Sequence, residues 1–142
     1  MRETLSDLVA QLRLMINDPA GSGTTFSDDV LADVLDNNSM ISEYMPLTPR
    51  PEITNGVTQY KVFEARHRNW EANAQLVNGS YEAITANTCD YKRGLFTFET
   101  SQNLPVMIHG TYFDLNGAAA ELWGMKASIY ADQFDQSVDG GN

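Results

Sequence analysis

Hydrophobic residues in the first third of the chain recur at the spacing of two helices. Residues 4–16 place apolar side chains every three or four positions, as on the buried face of an amphipathic helix. A second helix is predicted after Ser27, which can cap the first turn, and the two aspartates that follow complement the positive end of the helix dipole. Segment 20–25, which contains two glycines, is expected to be a flexible linker. Residues 1–39 therefore predict an antiparallel helix pair.

The pattern changes between residues 40 and 112 to short runs of β-branched and aromatic residues, separated by proline, glycine and asparagine. Such runs predict an antiparallel β region. Asn78-Gly79 predicts a two-residue hairpin turn after residues 74–77, and Gly94 closes a second turn that begins at Asp90. Turns of this chemistry are usually exposed and often carry partner contacts. The residues expected to face a partner at these hairpins are Asn78, Gly79, Arg93 and Gly94.

Three prolines stand near the start of the β region, at Pro46, Pro49 and Pro51. Proline lacks an amide hydrogen and restricts the residue before it, so we expect an extended crossing here and not a strand paired in a ladder. The last predicted strand, residues 106–112, leads directly into the C-terminal helix.

The longest helical pattern follows Asp114, which is suited to cap a helix predicted over residues 113–134. Its apolar residues fall on two adjacent faces. One face can cover its own domain, and the other is expected to meet a neighbouring subunit, because a chain this short rarely has enough core to bury both. A single buried core helix is the alternative that the pattern leaves open. The residues expected at the contact between subunits are Ala118, Ala119, Leu122, Trp123, Met125 and Tyr130.

The final residues, 135–142, contain aspartates and glycines that have low helix propensity. We expect this tail to lack a fixed structure in the free protein and to become ordered on a partner, by strand addition or as an extended docked segment. The residues expected to dock are Phe134, Asp135, Ser137, Val138 and Asp139.

Together these elements predict a single domain of the α+β class. An N-terminal antiparallel helix pair and a long C-terminal helix form a small bundle, with an antiparallel β insertion between them. The chain has 142 residues, 42% of them hydrophobic, and no apolar run approaches the ~20 residues that span a bilayer. We expect no membrane segment and synthesis in a cytoplasm, since the N-terminus has the pattern of an amphipathic helix and not of a signal peptide.

Composition also bears on partners. Nineteen acidic and nine basic side chains give a net charge of −10, which argues against a protein that grips nucleic acid through clustered Lys and Arg. The short basic run Arg66-His67-Arg68 is expected to be a solvated end of a strand.

Groups capable of catalysis are few. His67 and His109 are the only histidines, and Cys89 is the only cysteine, which excludes a disulfide within the chain and a cysteine-rich zinc site. We therefore predict no catalytic residue, no cofactor and no metal. A hydrolase that uses Cys89 with His109 as its base is the least favoured alternative, because nothing in the sequence brings the two together.

Several motifs, in their order along the chain, resemble those of head-to-tail connector proteins, also called adaptor or head-completion proteins, of long-tailed double-stranded-DNA bacteriophages. The C-terminal group of motifs is the most specific, and the middle group resembles the branch that carries a β insertion. The motifs are LRLMIND (12–18) with TFSDDVL (25–31), then YMPLTP (44–49), NWE (69–71) and RGLFTF (93–98), and finally PVMIHGTYFDL (105–115), AAAELW (118–123) and FDQSVDG (134–140).

The resemblance implies a structural virion protein at the head-tail junction. It implies a homo-oligomeric ring of about twelve copies beneath the portal protein, closed by a contact that repeats around the ring. The ring would join the DNA-filled head to a downstream head-closure or tail-terminator protein. Double-stranded DNA would pass through its channel without specific binding, which suits a surplus of negative charge.

A second class of function stays open beside this one. The chain could be a small module that binds a ligand or carbohydrate through its β region, flanked by helices. Trp70, Tyr81 and Tyr91 would then form its aromatic platform.

Overall fold

The structure is a computed structural model that describes residues 3–21 and 23–140, with side chains described as far as Asp132. The chain divides into two compact units. The helical unit comprises the residues up to Asn38 and from Asp114 onward, and the β unit comprises Ser39–Phe113. Helices at both ends and strands in the middle confirm the predicted α+β class. Three helices occur among the described residues: α1 Glu3–Ile16, α2 Asp28–Asn37 and α3 Leu115–Gly140.

The helical unit buries the apolar faces that the sequence pattern predicts for its first two helices. α1 and α2 pack on each other, and both pack on α3. The start of α2 is also as predicted, since the Ser27 hydroxyl accepts a hydrogen bond from the Val30 amide at 3.3 Å. The buried apolar side chains of α1 and α2 are Leu5, Leu8, Val9, Leu12, Ile16, Leu31, Val34 and Leu35.

A buried polar cluster holds the segment between α1 and α2. The guanidinium of Arg13 donates to the carboxylates of Asp18 at 3.4 Å and Asp28 at 2.6 Å, and to the Phe26 carbonyl at 3.0 Å. Asp18, whose side chain is only 3% exposed, accepts hydrogen bonds from the amides of Thr25 and Phe26. These contacts hold both ends of the segment, and the predicted flexibility of the residues between them stays a prediction.

The β unit contains two four-stranded antiparallel sheets among its described residues, with strand orders β1-β8-β4-β5 and β2-β3-β7-β6. Its largest fully buried side chains are aromatic, Trp70, Phe63 and Phe96, and Ile108 and Val106 pack with them. The strands are β1 Ser39–Pro46, β2 Thr48–Thr54, β3 Val57–Glu64, β4 Gln75–Val77, β5 Ala83–Ile84, β6 Thr88–Asp90, β7 Leu95–Thr97 and β8 Met107–Phe113.

The prolines do not prevent strand pairing, and this prediction was wrong. Pro49 and Pro51 lie in β2, which pairs with β3 at the edge of its sheet. The register shifts between Arg50 and Glu52, so Pro51 lies at a bulge. An edge strand tolerates proline because one side of it needs no amide donor, and a bulge tolerates it because the ladder is already interrupted there.

Of the two predicted hairpins, one matches its sequence signal closely. β6 and β7 pair with Asp90 opposite Leu95, and Gly94 has a φ of +72°. The other hairpin pairs residues 76–77 with residues 83–84, so its connection runs over residues 78–82 and is longer than the predicted two-residue turn. The reason is local: the Asn78 side chain accepts hydrogen bonds from the amides of Ser80 and Glu82, which stabilises a wider loop.

The C-terminal helix also differs from its predicted length. α3 ends at Gly140, not at residue 134. Aspartate and glycine lower helix propensity without stopping a helix, and each added residue gains a hydrogen bond once the helix is nucleated. The backbone of residues 135–140 is therefore helical and not extended. Residues 141–142, at the end of the predicted tail, lie outside the described residues.

Candidate interaction surfaces

α3 exposes apolar side chains on both flanks of its buried face. Trp123 is 47% and Tyr130 54% exposed on one flank, which we call the outer face, and Met125 and Ile129 are exposed on the other flank. Gly124 lies between the two flanks, on the side of the helix away from the core, where an added side chain would meet no atom within 4 Å. An exposed aromatic face beside a small residue can accept another chain at close range. Trp123, Met125 and Tyr130 are thus available for the predicted contact between subunits, and that contact stays a prediction.

The other residues predicted for this contact are not available. Ala118, Ala119 and Leu122 are buried. They lie on the face of α3 that covers its own unit, because their spacing of three and four residues places all three side chains on one side of the helix. A charge placed at Ala119 would therefore disrupt the helical unit itself, which corrects the expectation that this residue lies between subunits.

A lysine, not an apolar residue, continues the inner face of α3 after Leu122. Lys126 is 7% exposed, and its ammonium donates to the Ile16 carbonyl, the last residue of α1, at 3.3 Å. The same ammonium lies 5.2 Å from the ring centroid of Trp123 and 6.0 Å from that of Tyr130. The lysine thus caps the C-terminus of α1 and places a cation beside both exposed aromatic rings.

The electrostatics of the polar cluster follow from its partners. Burial on its own raises the pKa of the Asp18 carboxyl. The two amide hydrogen bonds and the charges of Arg13 and Lys126 outweigh burial, so the pKa of Asp18 lies below its ordinary value. Asp18 is therefore an ionised structural group and not a proton donor at neutral pH.

The side chains of the predicted docking tail lie outside the described residues. Its backbone continues α3, but the side chains beyond Asp132 are not described. The docking role of Phe134, Asp135, Ser137, Val138 and Asp139 therefore stays a prediction.

The two hairpin tips differ in exposure. Gly79 and Arg93 are exposed and Asn78 is half-buried, as suits residues that face a partner. Gly94 is buried, and a β-carbon added there would lie 2.6 Å from the His67 carbonyl oxygen. The expectation that Gly94 faces a partner was wrong, because this glycine allows two backbone segments to meet inside the β unit.

This close approach forms a basic corner, which we define as Arg66, Arg68, Lys92 and Arg93. Loop 65–70 is bound to the β6–β7 turn through the hydrogen bonds from the Ala65 amide to the Gly94 carbonyl at 2.7 Å, from Asn69 to Lys92 at 3.0 Å and from Trp70 to Tyr91 at 3.0 Å. All four cationic side chains are exposed. The sequence showed only two short basic runs more than twenty residues apart, so their meeting depends on strand pairing that no local pattern signals.

The aromatic platform of the alternative function is not assembled. Trp70 is buried and donates from Nε1 to the His67 carbonyl at 2.7 Å, and Tyr91 packs half-buried on Phe96. Only Tyr81 of the three is exposed. A different group is present instead, which sequence reasoning missed. Tyr44 stacks on His109 at 4.8 Å and meets the edge of Tyr81 at 5.0 Å.

The structure also separates the residues of the hydrolase alternative. Cys89 is exposed on β6, at the edge of one sheet, and His109 lies on β8, inside the other. Burial raises the pKa of Tyr91, and the neighbouring Cys89 thiol adds to the rise. Cys89 thus has a tyrosine beside it, while the His109 ring is stacked on Tyr44. This arrangement lacks the contact between nucleophile and base that such a mechanism needs.

Two grooves are present on the β unit. One groove of about 400 Å³ runs along residues 85–87 and 98–102, and another of about 280 Å³ lies beside the Asn78–Ser80 loop. In the part of the chain that the structure covers, no three His, Cys, Asp or Glu side chains gather as they would around a metal ion. Across the same residues, none of the helices combines the length and apolarity that a bilayer span requires.

Comparisons with known proteins add no relative. No protein-family model, no curated protein and no solved structure matches this chain. The resemblance to connector proteins therefore depends on the sequence motifs alone, and the surfaces described above are the physical basis for any proposal about function.

Proposed function

We propose that this protein is a structural component of a long-tailed double-stranded-DNA bacteriophage. In this proposal it forms a homo-oligomeric ring beneath the portal protein, joins the DNA-filled head to the tail and continues the DNA channel. The order of motifs along almost the whole chain supports this assignment. The C-terminal group, from Pro105 to Gly140, supports it most, because its three parts follow one another at the expected places.

The observation that carries the proposal is the outer face of α3. The inner face is already covered by α1 and α2, yet Trp123 and Tyr130 stand about half-exposed beside it. Aromatic residues exposed together on a monomer are typical of a protein interface, where they supply most of the binding energy. A helix that packs inward within its own chain and outward on a neighbour suits a contact that repeats around a ring.

The charge distribution supports the DNA channel. The helical unit holds twelve acidic and three basic side chains, a net charge of −9, and the β unit holds seven and six, a net charge of −1. Like charge suppresses the phosphate contacts that would hold DNA in place. DNA would therefore slide past the acidic unit without specific binding.

The remaining surfaces suit the two neighbours in such an assembly. The C-terminal end of α3, from Phe134 to Asp139, would dock on the portal protein. The exposed hairpin tips at Asn78-Gly79 and Arg93 would meet the downstream head-closure or tail-terminator protein.

The test is reconstitution of the purified chain with portal protein, followed by electron microscopy of the complex. The parent should form a closed ring on the portal. Replacing both exposed aromatics, Trp123→Ala with Tyr130→Ala, should abolish the ring and leave the folded chain intact. Leu14→Ala is the matched control, since Leu14 is an equally apolar side chain, 84% exposed on α1. Unchanged ring formation by the aromatic double variant would contradict the proposal.

A second candidate function is supported by the Tyr44 group. Tyr44 and Tyr81 are both exposed and both have positive φ, 51° and 63°, a conformation that costs energy in residues other than glycine. Exposed aromatic rings, here one on a strand and one on a loop, are typical of a surface that binds a sugar ring or a similar flat apolar ligand. Tyr44→Ala should abolish binding to an oligosaccharide array if this function operates, whereas the connector function predicts no such binding by the parent.

A further inference from the structure

The basic corner is the strongest concentration of positive charge in the β unit. It contains four of that unit's six Lys and Arg residues. Asp90 lies 3.8 Å from Nε of Arg93, and among the described residues Arg66, Arg68 and Lys92 have no ion-pair partner. Exposed cations that are left unpaired and held together by the backbone are available to an anionic surface.

A pair of exposed carboxylates is present on the helical unit. α2 carries Asp29 and Asp33, which are exposed and one helical turn apart. Asp28, beside them, is already bound by Arg13. Asp29 and Asp33 have no cationic partner among the described residues. They define what we call the acidic face of α2.

We infer that the basic corner of one copy docks on the acidic face of α2 of a second copy. The inference names one contact between subunits of the proposed ring, and it rests on the proposed function because only a ring lets this contact repeat and close. Each chain carries both surfaces, one on each unit, so the contact is heterologous and repeats from copy to copy. Complementary charge is the reason for choosing a second copy as the partner. Its helical unit has a net charge of −9, and the basic corner of the β unit is cationic.

DNA fits the same corner less well. The β unit as a whole is almost neutral, at −1, so the corner lacks the wider positive surface that would follow a DNA backbone. Phosphate binding strengthens with the number of cations that face the backbone, and four cations, one of them beside a carboxylate, give a weak site. The acidic face of a second copy presents two carboxylates, which a cluster of four cations is large enough to pair.

The physical character of the contact follows from its exposure. Pairs of exposed charges each contribute little, so the contact orients the subunits and speeds their encounter, while apolar surface supplies most of the affinity. Its contribution should fall as salt rises, because the screening length shortens from about 20 Å at 0.02 M to about 4 Å at 0.5 M.

Charge reversal tests the inference directly. One variant reverses the corner, Arg68→Glu with Lys92→Glu, and a second reverses the acidic face, Asp29→Lys with Asp33→Lys. Self-association of the full chain at low salt is measured by sedimentation velocity, alone and on portal protein. Each variant alone should associate at least about tenfold more weakly than the parent, because two attractive pairs become repulsive. An equimolar mixture of the two variants, and the chain carrying all four changes, should recover association.

Controls separate charge from folding. Arg50→Glu with Lys61→Glu makes the same change in net charge outside the corner and should associate as the parent does. Since Asp29 lies in the first turn of α2, where a lysine weakens the helix, Asp33→Lys alone is the second variant of the acidic face. Thermal unfolding by circular dichroism identifies any variant that is not folded.

The outcomes are distinct. If the mixture and the fourfold variant associate no better than the single-surface variants, or if the parent stays monomeric both at low salt and on the portal, the inference is wrong. Reduced retardation of a duplex DNA fragment by the corner variant, without recovery in the mixture, assigns the corner to nucleic acid instead. Recovery in solution without any portal binding by the parent would leave this contact standing and contradict the connector function.

Discussion

The helical unit and the β unit solve the same problem of burial in different ways. The helical unit buries charge: Arg13, Asp18 and Lys126 are each less than a tenth exposed. The β unit buries aromatic surface, with Trp70 and Phe63 at the centre of its core. Three helices leave a gap where α1 turns into α2, and side chains that reach the backbone fill it. In the β unit, apolar side chains of both sheets contribute to one core, and its buried polar side chains among the described residues include Ser42 and Glu71.

This difference predicts where each unit is vulnerable. In the helical unit a small polar cluster holds a connecting segment. The loss of one partner therefore removes hydrogen bonds from the buried polar groups that remain. In the β unit the weak point is geometric, where loop 65–70 approaches the β6–β7 turn across Gly94. Stability should therefore depend on the polar cluster in the helical unit and on the close approach at Gly94 in the β unit.

Removing the cation of the buried cluster should have the largest effect. Arg13→Met keeps the length and apolar stem of the side chain but removes the donor of the Phe26 carbonyl and the cation that pairs with the buried Asp18 carboxylate, which retains only its two amide donors. Breaking one side of a buried ion pair costs about 3–5 kcal/mol, and we expect a loss in the free energy of unfolding of that size, measured by chemical denaturation. Arg13→Met combined with Asp18→Asn should cost less than the sum of the single changes. Additive effects would contradict a coupled cluster.

The corresponding change in the β unit is Gly94→Ala. The new β-carbon would meet the His67 carbonyl 2.6 Å away, at a φ of +72°. Gly56 provides a matched control, since its φ is +78° and nothing lies within 4 Å of an added β-carbon. Gly56→Ala should cost only the conformational strain of about 1–2 kcal/mol, and Gly94→Ala about 1–3 kcal/mol more from overpacking. Equal losses of unfolding free energy at the two sites would show that no close approach exists at Gly94.

The loss of unfolding free energy at acid pH should depend on Asp18, in the polar cluster of the helical unit. The pKa of Asp18 is lowered in the folded protein, so its ionised form contributes stability that is fully present above the unfolded pKa of about 3.9 and is lost as pH falls through the folded pKa. The free energy of unfolding should therefore decline more steeply below about pH 4 in the parent than in Asp18→Asn, when both are measured by denaturant titration. Parallel profiles for the two proteins would contradict a lowered pKa.

The sequence predicted best where the determinants are local. Ser27 at the start of α2 and Gly94 at the end of its turn act within four residues of themselves, and both were found in their predicted elements. The proline-containing strand β2 was missed because its pairing depends on its place at the edge of a sheet. The end of α3 was missed because low propensity at single residues does not outweigh helix propagation.

The candidate surfaces show the same limit. Helical periodicity identified Trp123 and Tyr130 as an outer stripe, but it could not tell that Lys126 would continue the buried face, because a lysine there is stabilised only by the carbonyl that ends α1. The basic corner was invisible for a similar reason. Its two halves meet through hydrogen bonds between segments more than twenty residues apart, so each half in isolation looked like an ordinary solvated run.

The smallest expected effect is that of a change at Trp123, which follows the buried Leu122 on a different face of α3. Leu122 is fully buried, and Leu122→Ala should cost about 2–5 kcal/mol of unfolding free energy through the cavity it leaves. Trp123, although larger, is 47% exposed, and within the described chain its ring contacts the Lys126 ammonium at 5.2 Å. Trp123→Ala should therefore cost no more than about 1 kcal/mol in the isolated chain, most of it from the lost cation–π contact and the covered apolar area. Thermal unfolding of the two variants at low protein concentration, where neighbouring copies do not contribute, measures the difference. A large loss for Trp123→Ala under these conditions would mean that the ring stabilises its own chain, and the outer face of α3 would then no longer be free to bind a neighbour.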